Sequence, residues 1–231
     1  MKTNALQGLG DRWGLGGGQL RQLSLILSEL ESDEHAPTAV RAAEQAADTH
    51  LADSLVALEL EAVSTAGSIA DLGAGAGFPG APLAVALPGS KVRLIESQRR
   101  ECEFLERLCA HSEIENAHVV RARAEEWREG LSANDVVVAR ALAAQPVVLE
   151  YAAPLLQLGG TLVDWRGRRV PAEEEAALRA AETLGLRCLE IRKVEPFPGA
   201  TDRHLHLFSK VRDTPERFPR RPGMARKRPI G

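Results

Sequence analysis

The chain has 231 residues, of which 44% are hydrophobic and 26% are charged, an ordinary composition for one globular domain with at most a small appendage. No apolar run approaches the ~20 residues that a membrane-spanning helix requires. Glycines between positions 10 and 18 interrupt any signal-like segment. We therefore expect a cytoplasmic protein. The three cysteines have no CxxC spacing, so we expect no metal site and interpret them as buried apolar side chains.

The first third of the sequence predicts a helical cap over residues 1–62. Residues 1–18 are rich in glycine, and we expect them to be poorly ordered. Apolar side chains at helical spacing between Leu20 and Leu30 predict a first amphipathic helix, and a second stripe predicts a helix over Thr38–Leu60.

From residue 63 to residue 211, short apolar runs alternate with helical stretches. The runs are Ser68–Leu72, Lys91–Ile95, Ala117–Val120, Asp135–Ala139, Thr161–Trp165, Leu186–Val194 and His204–Lys210. The helical stretches are Ala81–Ala86, Arg100–His111, Gln145–Leu156 and Ala172–Leu184. The last two runs have no helix between them and indicate an antiparallel pair. The pattern predicts an α/β fold with a doubly wound, mostly parallel seven-stranded sheet, similar to the Rossmann-like class I methyltransferase fold.

The first strand leads into a glycine-rich loop, Asp71–Gly80, at the edge where open α/β sheets bind ligands. Glycines there let a ligand approach bare backbone, and they are Gly73, Gly75, Gly77 and Gly80. The spacing from Gly75 to Gly80 also matches the dinucleotide fingerprint. However, the carboxylate of Asp71 suits a cationic amino-acid end and would repel a diphosphate. The loop therefore favours S-adenosylmethionine over a nicotinamide cofactor.

The next strands end in further candidate ligand-binding residues. Glu96 follows the second strand, where a carboxylate can accept hydrogen bonds from both hydroxyls of a ribose. The third strand leads into Ala124 and Glu125, where backbone and acid can meet an adenine ring. Arg140 follows the fourth strand, and we expect it to point into the cleft or to pair with a carboxylate at its edge.

The C-terminal tail, residues 212–231, is basic. From residue 210 onward there are eight basic side chains, two acidic ones and four prolines, although the net charge of the chain is −3. Proline cannot continue a helix or an inner strand. We therefore expect an extended arm that binds phosphates through residues such as Arg220 and Arg221, with a solubilising tail as the alternative.

Together these residues resemble the RsmG (GidB) family of bacterial 16S ribosomal RNA methyltransferases, which modify guanine N7. The resemblance runs from His50 to the C-terminus. His50–Leu55 is similar to the family's H-x-x-D-S-L helix, and Asp71–Leu83 to its D-x-G-x-G-x-G-F-P-G-x-P-L loop. Arg123–Glu125, Arg140-Ala141 and Arg203–Leu205 are similar to its R-x-E, R-A and R-x-L motifs. Two departures are Trp165-Arg166-Gly167, where the family usually has Lys-Gly, and the missing W-N-x-x-x-N-L-T stretch.

The resemblance implies a set of site residues and a substrate. Gly73, Phe78, Ala124, Glu125 and Arg140 would contact the cofactor, joined by Asp71, Gly75, Gly77 and Glu96 from the arguments above. Arg140 is also the candidate catalytic residue. The implied partner is 16S ribosomal RNA or the small ribosomal subunit, and the RNA would be held by Arg123, Arg166, Arg203, Arg220 and Arg221. We expect a monomer.

The expected chemistry explains what the sequence lacks. Guanine N7 has its lone pair in the ring plane and can attack without losing a proton, so positioning and electrostatics can supply the rate. The sequence has no Ser–His–Asp set, no metal-ligand motif and no N-P-P-Y motif. Two alternatives remain at this point. One is a nicotinamide-dependent oxidoreductase, and the other is a non-catalytic ribosome-associated RNA-binding module.

Overall fold

The seven apolar runs form seven strands in the computed structural model, which describes residues 2–231. They are β1 (Ser68–Leu72), β2 (Lys91–Glu96), β3 (Ala117–Arg121), β4 (Asn134–Arg140), β5 (Leu156–Arg166), β6 (Leu186–Lys193) and β7 (His204–Lys210). They make one sheet in the order β3-β2-β1-β4-β5-β7-β6. Strands β1 to β5 are parallel, whereas β7 runs antiparallel to β5 and β6. The order reverses beside β1, so the predicted doubly wound class I fold is confirmed.

The N-terminal third is helical but irregular. It contains α1 (Lys2–Trp13), α2 (Gly17–Ser32), α3 (Ala43–Ala46), α4 (Asp53–Leu55) and α5 (Glu61–Ser64). A π-helical turn, Ala47–Ala52, joins α3 to α4, and a 3-10 turn, Val56–Glu59, follows α4. The predicted helix over Thr38–Leu60 therefore begins later and is broken. The Thr38 hydroxyl accepts a hydrogen bond from the Val40 amide at 3.2 Å, a local bond that competes with helix formation.

The expectation that residues 1–18 are poorly ordered is wrong for residues 2–13, which form α1. Leu6 and Leu9 are one helical turn apart and both are buried. Arg12 reinforces the helix by donating to the Glu59 carboxylate at 2.8 Å and to the backbone oxygen of Pro196 at 2.8 Å. Glycine content alone therefore gave the wrong prediction, because two apolar anchors and one arginine hold this segment on the domain.

Helices on both faces enclose the sheet. They are α6 (Gly80–Ala86), α7 (Arg99–His111), α8 (Gln145–Ala152), α9 (Pro171–Leu184) and α10 (Met224–Lys227). Alternate residues of β1 face opposite sides of the sheet. Ile69 packs with the N-terminal helices, α6 and α7, whereas Ala70 packs with α8 and α9. Within residues 2–231, no helix combines the length and the apolar character needed to cross a bilayer.

The C-terminal tail returns to the domain and is not the extended arm that its charge and prolines predict. Phe218 and Ala225 are buried in the same apolar cluster as α8 and α9. Arg220 makes a two-pronged ion pair with Glu150 on α8, with Nε 2.7 Å from Oε1. These two apolar anchors and one buried ion pair outweigh the preference of a charged, proline-rich segment for solvent.

Candidate functional site

The loop after β1 has backbone that glycine permits. Gly73, Gly75 and Gly77 all have positive φ, at 68°, 51° and 94°. A Cβ on Gly73 would lie 2.6 Å from Cδ1 of Leu142, so a larger residue would displace the wall of the cleft. The loop therefore brings bare backbone to the carboxyl edge of the sheet.

The Asp71 side chain fixes the end of this loop through a buried hydrogen bond. Its side chain is fully buried, and Oδ2 accepts a hydrogen bond from the Gly80 amide at 2.7 Å. Burial raises the pKa of Asp71 to about 7, against the opposing effect of the Gly80 N–H. Asp71 does not line the adjacent cavity. This placement differs from the expectation that Asp71 faces the cationic end of the cofactor, because the side chain points under the loop and anchors the start of α6.

A cavity of about 300 Å³, which we name the glycine-loop cavity, opens at the carboxyl ends of β1, β2 and β3. Six of the predicted site residues line it: Gly73, Gly75, Glu96, Arg123, Ala124 and Glu125. Gly77 and Phe78 do not line it: a Cβ on Gly77 would meet Leu105 and Leu108, and the Phe78 ring stacks on His50. The cavity also contains Tyr151, Leu142 and Arg226, which the sequence analysis missed.

Hydrogen bonds fix the Glu96 carboxylate at the carboxyl end of β2. Its Oε1 accepts hydrogen bonds from the amides of Ser97 at 2.6 Å and Gln98 at 2.9 Å, and Oε2 accepts one from Gly75 at 3.3 Å. The Ser97 hydroxyl also donates to Oε1 at 3.4 Å, so the acceptor site left for a hydroxyl group of a ligand is the second lone pair of Oε2. Burial and the nearby Glu96 raise the pKa of Glu101, another lining residue. The cavity is therefore acidic where it meets the carboxyl end of β2.

Beside it lies a second cavity of about 420 Å³, which we name the arginine cavity. Its lining contains three arginines, Arg140, Arg166 and Arg203, together with Trp165 and residues of the π-helical turn. Ala141, directly after β4, lines both cavities. The two cavities therefore meet at the end of β4, and Arg140, which was predicted to contact the cofactor, lies in the second of them.

Arg140 is held by the N-terminal helices. Its NH1 donates to the Thr49 carbonyl at 3.1 Å and to Asp53 Oδ2 at 2.9 Å, and its NH2 is 3.3 Å from His50 Nδ1. Asp53 is almost fully buried, and its Oδ1 is 3.4 Å from Nε of Arg203. The Asp53 carboxylate thus positions two of the three arginines. The π-helical turn places the Thr49 carbonyl and the His50 ring against the Arg140 guanidinium.

Phe78 links this cluster to the glycine loop. Its ring stacks on His50 with centroids 4.5 Å apart, and the Arg140 guanidinium lies 5.5 Å from the Phe78 centroid. Burial, followed by the charge of Arg140, lowers the pKa of His50 to about 4. His50 is therefore neutral at physiological pH and adds no charge to the cavity. Trp165 donates from Nε1 to the Asp53 carbonyl at 2.8 Å, which fixes a largely buried ring.

Arg166 rests on a buried polar network. Its Nε donates to Asp164 Oδ2 at 2.7 Å, and Gln145 Nε2 donates to the same oxygen at 3.0 Å. Burial raises the pKa of Asp164 to about 6, although Arg166 opposes the shift. The Gln145 amide also lies 3.0 Å from His206 Nδ1, and burial lowers the pKa of His206 to about 4. An acid inside an apolar strand was the sequence signal that could have identified Asp164.

The other two predicted RNA-binding residues, Arg220 and Arg221, lie on the tail in different surroundings. Arg220 is engaged by Glu150, so its guanidinium is held inside the domain. Arg221 is exposed and lies near Glu125, Glu126 and Arg128. Among residues 2–231, no cluster of three or more His, Cys, Asp or Glu side chains could hold a metal ion.

Comparison with known sequences gives one consistent result. The family model described as "rRNA small subunit methyltransferase G" (GidB) matches residues 19–205. The chain is 35% identical to ribosomal RNA small subunit methyltransferase G of Carboxydothermus hydrogenoformans, over 91% of this chain and 89% of that protein. It is 36% identical to the protein of the same name from Chloroflexus aggregans, over 94% of each chain. Neither alternative from the sequence analysis, an oxidoreductase or a non-catalytic module, is supported.

Solved structures support the fold. The mitomycin 7-O-methyltransferase MmcR superposes with a TM-score of 0.59 at 16% identity, covering 74% of this chain and 56% of that chain. M. jannaschii TYW2 in complex with AdoMet superposes with a TM-score of 0.51 at 16% identity, covering 68% of this chain and 77% of that chain. The chain therefore belongs to the rRNA small subunit methyltransferase G family, with the class I fold of S-adenosylmethionine-dependent methyltransferases.

Proposed function

We propose that this protein transfers the methyl group of S-adenosylmethionine to N7 of one guanine in 16S ribosomal RNA of the small subunit. The observation that carries the proposal is the meeting of two cavities of opposite character at Ala141. One has glycine backbone and fixed carboxylates, and the other has three arginines. A donor that carries a ribose fits the first, and an RNA nucleotide fits the second.

The residues of the glycine-loop cavity fit S-adenosylmethionine. Gly73 and Gly75 offer bare backbone at the end of β1. Glu96 offers the free lone pair of its Oε2 to a ribose hydroxyl, and Ala124 and Glu125 offer backbone and acid to an adenine. When bound, this cofactor supplies an electrophilic methyl group on a sulfonium. The chain's own residues then have to orient the acceptor and exclude water.

The arginine cavity supplies what an N7 acceptor needs. Guanine N7 becomes cationic as it accepts the methyl group, so arginines near it serve best on the phosphates and sugar of the RNA. Arg140 and Arg203 are both oriented by Asp53, and Arg166 by Asp164. These are positioning contacts, and we propose that they set the acceptor in line with the donor. No proton has to be removed, which accords with the pKa of about 4 that makes His50 a weak base.

We propose that Arg123, at the rim of the glycine-loop cavity, and Arg221, on the exposed side of the tail, contact RNA outside the acceptor nucleotide. A ribosomal substrate makes the cytoplasm the place of action, and we propose that the protein works there as a monomer.

Methyl transfer from radiolabelled donor to small subunits that lack this modification tests the proposal. Naked 16S RNA and assembled 30S particles are offered separately, and the labelled nucleoside is identified by chromatography after digestion. We expect 7-methylguanosine from one position. Label on another base, or no label with both substrates, would refute the proposed specificity.

A further inference from the structure

The C-terminal segment ends against the glycine-loop cavity. Phe218 and Ala225 are buried in the apolar cluster formed with α8, at 7% and 1% exposure. Between them, Arg220 pairs through two nitrogens with the Glu150 carboxylate, whose side chain is 1% exposed. A two-pronged pair that is this well shielded from water fixes the direction of the chain. Residues 221–228 are thereby directed toward the end of β3.

Two hydrogen bonds then attach this segment to residues of the cavity itself. The Gly223 amide donates to Glu125 Oε1 at 3.0 Å. Arg226 donates from NH2 to the Leu142 carbonyl at 3.0 Å, and Leu142 is the side chain that covers Gly73. Arg226 and Tyr151 both line the cavity beside Glu125. The tail therefore supplies part of the cavity wall.

The position of Arg226 determines which part of a donor it would meet. In the donor site proposed above, Glu96 at the end of β2 accepts from the ribose and Glu125, after β3, lies on the adenine side. Arg226 stands with Glu125. A guanidinium offers in-plane N–H donors and a flat face, and adenine offers ring-nitrogen acceptors and a flat π system. Arg226 also places a positive charge in a cavity that contains Glu96, Glu101 and Glu125.

We propose that Arg226 is a donor-binding residue and that the C-terminal segment, residues 212–231, forms the adenine side of the S-adenosylmethionine site. The inference rests on the proposed function, because it assigns the glycine-loop cavity to the methyl donor. It gives the tail a role in cofactor binding, where its charge alone indicated RNA.

Calorimetry with S-adenosylhomocysteine on the full-length chain tests the inference. Arg226→Gln should weaken binding by about tenfold or more, as expected for loss of a charged hydrogen-bond donor. Lys227→Gln is the matched control, because it removes the same charge from the next residue, which is exposed and does not line the cavity. We expect its affinity to equal that of the wild type. Equal affinities in all three proteins would overturn the inference.

Limited trypsin digestion provides a second readout, because the segment contains several arginines. S-adenosylhomocysteine should slow cleavage within residues 217–228 in the wild type and should not slow it in Arg226→Gln. Tail cleavage that is indifferent to the ligand in a wild type that binds it would contradict the inference and leave the donor site intact. A wild type that binds no S-adenosylhomocysteine would refute the donor site and the inference together.

Discussion

Asp71 should make the stability of the unliganded protein fall as the pH rises. The buried carboxyl has a pKa of about 7 in the folded chain, mainly because burial disfavours its charge, against a reference value of 3.8. Between these two values the folded state binds one more proton than the unfolded state, so the free energy of unfolding decreases with pH. The slope is about 1.4 kcal/mol per pH unit and halves at pH 7, where the folded carboxyl is half ionised, so stability falls by about 2 kcal/mol between pH 5 and pH 7.

Asp71→Asn isolates this effect. Asparagine can still accept the hydrogen bond of the Gly80 amide through its oxygen and cannot ionise. Its amide nitrogen would occupy the place of Oδ1, which has no partner, so a constant cost of about 1–3 kcal/mol is expected at every pH. Urea unfolding of both proteins at pH 5, 6 and 7 measures the difference. The stability of wild type relative to the variant should fall by about 2 kcal/mol over this range. Parallel pH profiles would refute the reasoning.

Three further predictions address the two cavities and the tail. Arg220→Ala should lower the free energy of unfolding by about 3 kcal/mol, because it leaves the buried Glu150 carboxylate unpaired. The control, Arg221→Ala, should change the free energy of unfolding in urea by less than about 0.5 kcal/mol, and similar losses in both variants would contradict the buried pair. Glu96→Gln should weaken S-adenosylhomocysteine binding by about tenfold or more in calorimetry, and unchanged affinity would remove Glu96 from the site. Asp53→Asn removes the charge that orients Arg140 and Arg203. It should lower kcat/KM for the RNA by about tenfold and leave the Kd for S-adenosylhomocysteine unchanged. Weaker S-adenosylhomocysteine binding with an unchanged kcat/KM for the RNA would contradict the assignment of the two cavities.

The sheet could be predicted from the sequence because its signals are local. Each inner strand is a short apolar run, and the absence of a helix between Leu186–Lys193 and His204–Lys210 identified the antiparallel pair. The end of a parallel strand also tells where a side chain lies. This is why Glu96 and Glu125 were correctly expected at the same edge of the sheet as the glycine loop.

Other features depend on contacts between distant segments. Phe218 and Ala225 are isolated apolar residues among charges, so nothing local indicates that the tail folds back. The place of Arg140 depends on Asp53, 87 residues earlier in the chain. Asp71 is a different case, since an acid within an apolar inner strand is more often buried and bonded to backbone than presented to a ligand, and the structure has it so.

The central claim is that the glycine-loop cavity holds the donor and the arginine cavity holds the acceptor, with the methyl group between them at Ala141. A crystal structure with S-adenosylhomocysteine bound is its most direct test. We predict that the ribose lies on Glu96, that the adenine lies between Glu125 and Arg226, and that the sulfur faces the arginine cavity. A ligand in the arginine cavity, or a sulfur directed away from Ala141, would contradict the account.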